Sequence, residues 1–332
     1  MPSPRISSIT PSHATAGGRI NLHGSHFAVG PTLPAVQIGT AAARVVFAAH
    51  DELGLIVPNT EAGLLPVRVD GADGACMVEV GVPMAAGLHQ VDSPVFDAFG
   101  NLFVTYSGSR GQQVPISIFK VTPTGTRESF SSAVTNPTSM AFSPDGTLYV
   151  SSRFEGAVYR LTDDGTAEVF ASDLGIACGL AFAPDGTLFV GDRSGTVFEV
   201  ARNGVARTLA TVPASVAAFH LALGPDGLYI TAPTLSASDV IYRVSFTGEV
   251  SVVHAGFGRP QGLAFAPDGT LHVVEALAGI SGLYRVPAGG APELLVNGPK
   301  LVGVAFDPSG DLVLCSSDTA YRFSSPLYAH TL

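Results

Sequence analysis

The chain has 332 residues, a formal net charge of −10 and a sequence pI near 5.2, with 46% hydrophobic and 13% charged residues. So apolar a composition excludes a disordered chain. The acidic balance, with no Lys/Arg cluster to override it, excludes nucleic acid as a partner and disfavours an anionic membrane.

The length suggests two domains, and the 38 Gly and 24 Pro are scattered between short apolar runs, as all-β proteins require. The N-terminus, Met1 to Ile9, lacks an apolar signal core, and no stretch approaches the roughly 20 apolar residues of a membrane span. The expectation is therefore a cytoplasmic protein as written. Cys76, Cys178 and Cys315 are odd in number and far apart, which speaks for small buried apolar residues and against disulfides or a zinc site.

Residues 4–82 alternate apolar and polar positions in short runs: Pro4 to Pro11, Gly17-Gly18, Ile20 to Phe27 with Gly24, Val36 to Gly39, Val57-Pro58 and Leu65 to Asp70. Period-two runs between turn residues over this length read as a small β-sandwich. The sequence resembles the IPT/TIG family of immunoglobulin-like domains in its Pro, Gly-Gly, Gly-x-x-Phe, Ile-Gly and Val-Pro steps. The resemblance implies a spacer or interaction module over residues 1–83. His23 and His26 are three apart, so on a strand they point to opposite faces and make a poor metal pair.

From residue 141 the chain repeats itself plainly. Ala141-Phe-Ser-Pro-Asp-Gly-Thr-Leu-Tyr-Val150 recurs as Ala181 to Val190 and Ala264 to Val273, with weaker copies at Val95 to Val104, Ala222 to Ile230 and Ala305 to Leu314. The turn glycines Gly100, Gly146, Gly186, Gly227, Gly269 and Gly310 are separated by 46, 40, 41, 42 and 41 residues. A period near 40 with several short strands per unit predicts a β-propeller, here of six blades over residues 84–332. A second turn follows in five units, at Gly125, Gly165, Gly204, Gly248 and Gly289, so each unit holds four antiparallel strands, a to d from the axis outward. The last unit lacks a clear fourth strand. Either Leu327–Leu332 or residues around Ala85–Gln90 supply it.

These units resemble NHL repeats and the SMP-30/gluconolactonase class of six-bladed propellers, over roughly residues 90–323. The resemblance implies a lactonase or lyase, or a pure binding protein. Lactonase members hold a divalent cation, Ca²⁺ or Mg²⁺, on Glu, Asp and Asn ligands. The corresponding slots here are Thr138, Cys178, Phe219, Gln261 and Val302. None is Asn or Asp, so no cofactor is expected outside the lactonase alternative.

In this topology the varied b–c and d–a connections share one face, whose axial mouth is the expected pocket. The candidate ligand-binding residues are Tyr106, Arg153, Arg193, Arg259 and Gln261. His220, Glu275 and Asp192 are the candidate catalytic residues. His220 stands where three other units have Gly179, Gly262 and Gly303. Asp192 and Glu275 end their b-strands, where a carboxylate more often caps a turn by accepting backbone N–H groups. Arg153 and Arg193 share one slot in adjacent units. No nucleophile elbow, phosphate loop or HExxH motif is present. The leading expectation is a protein that binds a small molecule or protein partner at the axial mouth. The alternative is a hydrolase or lyase with a divergent site.

Overall fold

The computed structural model describes residues 3–88, 93–277 and 279–324. Throughout these residues the regular structure is β, as the sequence requires. Five four-stranded sheets stand free, and a further quartet, Pro260–Phe265, Leu271–Glu275, Gly282–Val286 and Glu293–Asn297, forms the end of a twelve-stranded sheet. The expected six like blades are thus five separate sheets and one quartet fused to the N-terminal domain. The inner strands close into a ring, because Val95–Phe96 touches both Pro137–Phe142 and Leu301–Phe306.

The repeat motif produces this ring through two local devices. In the a–b turn, Ser143 and Thr147 pair across Pro144-Asp145-Gly146, with the Gly146 N–H donating back to the Ser143 carbonyl at 2.9 Å. Pro presets the first turn residue, and Gly146 takes a φ of 85° that a side chain would resist. The second device joins blades. In four blades the ring that follows Leu in strand b packs edge to face on the Phe of the next strand a. Phe103 meets Phe142 at 5.5 Å, Tyr149 meets Phe182 at 4.9 Å, Tyr229 meets Phe265 at 4.9 Å and His272 meets Phe306 at 5.2 Å. At the seam between the last blade and the first, Val313 and Phe96 share one core cluster.

The fourth strand of the sixth blade is Val82–Ala86, which pairs antiparallel with Thr319–Phe323. Of the two sources the sequence left open, the upstream one supplies the described strand, and Leu327–Leu332 lies outside the described residues. This strand straddles the expected domain boundary at residue 83. The c–d turn glycine of the first blade, Gly125, sits over the Met84 carbonyl, as Gly165 sits over that of Phe130. The first blade therefore packs on the closing strand as the second, third and fourth pack on their predecessors.

The N-terminal domain is a sandwich closed on Ile20, Leu22, Phe27, Ile38, Leu53, Leu55, Val67 and Val78, all nearly inaccessible. Its two-residue strand His13–Ala14 runs parallel to both Cys76–Val80 and the fifth blade's outer strand, Glu293–Asn297. The Thr15 amide donates to the Asn297 carbonyl at 3.0 Å, and the Arg19 amide donates to the Asn297 side chain at 2.7 Å. Buried Glu79 receives the Ser324 amide at 2.8 Å and lies 3.4 Å from His13. The two domains are joined by this backbone ladder and by the Ser324 amide on buried Glu79.

Candidate functional site

In three blades the residue that follows strand b is tied to the start of its own inner strand. The Arg153 amide donates to the Asn136 carbonyl at 3.4 Å, Arg193 to Ile176 at 3.1 Å, and Ala276 to Arg259 at 3.1 Å. These three bridges are equivalent positions in the second, third and fifth blades. In two of them arginine stands on the strand-b side. In the fifth, strand b supplies Ala276 and the arginine comes from across the bridge. Three blades thus bring a guanidinium to one opening by two different routes.

That opening is a cavity of about 330 Å³ lined by Thr138, Cys178, Arg153, Arg193, Arg259 and Gln261, together with small residues of the surrounding loops. It lies on the face of the longer connections, as the sequence predicts. None of its lining residues is acidic. Arg153 also donates to the Ser107 hydroxyl at 3.3 Å. Among the described residues none of the three arginines is ion-paired, whereas Arg160, Arg207, Arg243, Arg285 and Arg322 each lie against a carboxylate.

The two candidate carboxylates are elsewhere engaged. Glu275, fully buried, accepts the amides of Gly258 at 2.6 Å, Arg259 at 2.8 Å and Leu277 at 2.7 Å. Asp192, also buried, accepts the amides of Ile176 at 2.8 Å and Ser194 at 3.1 Å, and the Ser194 hydroxyl. Both lash an inner-strand entrance to a b–c loop. The turn-capping reading of these carboxylates is the one their geometry matches, and neither lines the mouth.

His220 lies deeper, in the wall of a second cavity of about 380 Å³ that runs along the inner strands past Phe142, Phe182, Phe265 and Phe306. Burial pushes its imidazole down to about 4, against a weaker opposing hydrogen bond with Gln261, so it is neutral at pH 7. Its Nε2 is buried without a hydrogen-bond partner. Cys178, at the mouth, is a thiol rather than a thiolate. Burial raises it to about 12, although the charges of Arg153 and Arg193 pull the other way.

Tyr106 does not line the mouth; its ring packs edge to face on Phe119 at 6.2 Å. Of the five slots compared with lactonase ligands, Thr138, Cys178, Gln261 and Val302 line the opening and Phe219 is buried in the core. A hard divalent cation requires several anionic or carbonyl oxygens. A thiol, a valine and three guanidinium groups do not fit one, and we derive no chemistry through it. Asn136 was missed at the sequence level. Its side chain donates to the Gly108 and Ser109 carbonyls at 2.9 and 3.0 Å and accepts the Gly111 amide at 2.7 Å, anchoring the 106–114 loop. The signal was an Asn before Pro137 at a strand entrance, since Asn tolerates the φ of 48° found there.

Comparison with known proteins now adds to this geometry. Residues 4–80 match the IPT/TIG domain family. The TIG domain is therefore the N-terminal sandwich just described, and the propeller follows it. No curated protein matches the chain. Among solved structures, an auxiliary nutrient binding protein from Bacteroides thetaiotaomicron is 14% identical, with 97% of this chain and 98% of that one covered and a TM-score of 0.58. A candidate gluconolactonase is 16% identical over 73% of this chain and 90% of that one, with a TM-score of 0.56. Virginiamycin B lyase from Staphylococcus aureus is 15% identical over 71% and 82%, with a TM-score of 0.53. Identities this low establish the shared fold of TIG domain and propeller, or of the propeller alone, and nothing of activity. Among the described residues no helix is long and apolar enough to cross a membrane.

Proposed function

We propose that this chain is a recognition protein that holds a small molecule in the axial mouth of the propeller's loop face and releases it unchanged. One observation carries the reading. The acidic side chains nearest that mouth, Asp192 and Glu275, are spent on backbone amides, which leaves guanidinium, amide and hydroxyl groups to meet a ligand. Those are groups for binding and orientation, with no base among them to take a proton. The mouth, about 330 Å³, sits at the lower end of the roughly 300–1,000 Å³ typical of small-molecule sites. One fold neighbour that spans both domains is described as an auxiliary nutrient binding protein, which is of the same class, while another of like coverage is a streptogramin B lyase. The TIG domain serves in this reading as an adaptor held in fixed orientation by the Asn297 ladder. A net charge of −10 favours a small molecule over nucleic acid as partner.

Incubation with a metabolite mixture, followed by desalting and mass spectrometry, tests the reading. Retention of an unchanged compound at one per chain, lost in Gln261→Leu, supports it. Conversion of a lactone or ester that His220→Ala abolishes overturns it in favour of the hydrolase or lyase alternative, for which His220 is the remaining side chain.

A further inference from the structure

We infer that the ligand of this mouth is a small organic anion whose carboxylate or phosphate oxygens are gripped by Arg153, Arg193 and Arg259. The inference rests on the reading of the mouth as a ligand site and adds the chemical class.

The argument starts from charge. A chain with a net charge of −10 has acids to spare, and the propeller uses them to neutralise Arg160, Arg207, Arg243, Arg285 and Arg322. Around the axial mouth it does not. Three guanidinium groups line one cavity with no acidic lining residue, and the adjacent Asp192 and Glu275 face away into backbone amides. Gathering like charges costs free energy, because each arginine repels the other two; the buried charges of Asp192 and Glu275 offset part of that cost from behind the mouth, but neither carboxylate pairs with a guanidinium. An anion in the cavity removes that cost.

Position supports the same conclusion. Solvated loop arginines need no common location, yet the fifth blade supplies its arginine from the opposite side of the equivalent backbone bridge and fills the same opening. Guanidinium is the side chain whose planar fork matches carboxylate and phosphate oxygens two at a time. The neutral remainder of the lining, Thr138 and Gln261, suits hydroxyl or carbonyl groups on the rest of the molecule. A cavity of about 330 Å³ admits a hydroxy-acid or a sugar phosphate and excludes a polymer.

Isothermal titration of the full chain with citrate, glucose 6-phosphate and glucose tests this, at low and moderate salt. The expected result is binding of one or both anions and no binding of glucose. Affinity should fall as salt rises, and by about tenfold to a hundredfold in each of Arg153→Gln, Arg193→Gln and Arg259→Gln. Arg207→Gln, on the outer surface against Glu199, should change affinity less than about twofold. Which of the two anions binds distinguishes carboxylate from phosphate. Glucose binding that survives the arginine variants and is lost in Gln261→Leu would sink the anion assignment while leaving the mouth a ligand site. No binding of any probe at millimolar concentration would overturn the assignment, and the metabolite-capture experiment would still decide the broader reading on its own.

Discussion

The carboxylate of Glu275 receives the backbone amide of Arg259 at 2.8 Å, so a buried acid at the end of one strand fixes the residue whose side chain lines the axial mouth. Asp192 plays the same part next to Arg193, accepting amides from Ile176 and Ser194 on either side of the bridge. The two acids that the sequence offers for catalysis act here on the backbone that presents the arginines.

A positioning role predicts a stability loss that a catalytic role does not. Glu275→Gln keeps the shape but leaves one carbonyl oxygen for three backbone amides, and should lower unfolding free energy by about 1–3 kcal/mol. Urea denaturation of the variant measures this. Unchanged stability would mean that the amides find other partners and that the carboxylate is free for another task.

Two histidines predict the acid limb of the stability profile. His220 and His272 are both buried, and burial holds each down at about 4. An unfolded histidine titrates near 6.5. Between these values the unfolded chain binds protons that the folded chain refuses, so stability is full above pH 6.5 and is lost as pH falls toward 4. Each residue accounts for roughly 3 kcal/mol of that loss. Denaturation midpoints at pH 7.5 and 4.5, in the parent chain and in His272→Phe, check the slope. His272→Phe should flatten it, since Phe keeps the edge-to-face contact with Phe306 and binds no proton.

The two turns of a blade should respond differently to the same substitution. At Gly146 an added methyl meets nothing within 4 Å, so Gly146→Ala costs about 1 kcal/mol for its positive φ alone. At Gly165 the methyl would stand 2.0 Å from the Phe130 carbonyl of the preceding blade. Gly165→Ala must separate the blades or break the turn, and should cost well over 2 kcal/mol. Equal melting temperatures for the two variants would contradict the close packing of turn on strand.

Asn297 should govern how rigidly the TIG domain is held. Its side chain satisfies the Arg19 amide and its backbone completes the ladder with Ala14 and Thr15. Asn297→Ala should raise hydrogen exchange in residues 13–19 and 293–297 while leaving the inner strands protected. The cost at the junction is about 1–2 kcal/mol.

Which of these features were readable in advance follows from how local they are. The Pro-Asp-Gly turn and the alternation of Phe142, Leu148 and Tyr149 are written within one repeat, and the repeat carries the ring with it. His220 stood out because its neighbours in the other blades are glycine. The capping of Asp192 and Glu275 was the more probable reading of an acid at a strand end. The His13–Ala14 strand is only two residues long and pairs with residue 296, so no local pattern marks it. The closing strand Val82–Ala86 pairs across more than two hundred residues of chain, and its sequence is equally consistent with a linker. Arg153, Arg193 and Arg259 are all expected at the axial mouth from their place in the repeat, and all three line it; the bridge by which Arg259 arrives is not visible in the sequence, and Tyr106, expected there too, packs on Phe119 instead.

A co-crystal structure with the best-binding anion addresses the central claim most directly. The account predicts density for one unaltered molecule between Arg153, Arg193 and Arg259, with Gln261 at its neutral end. Density only beside His220 in the inner channel, or a cleaved product in either cavity, would contradict it.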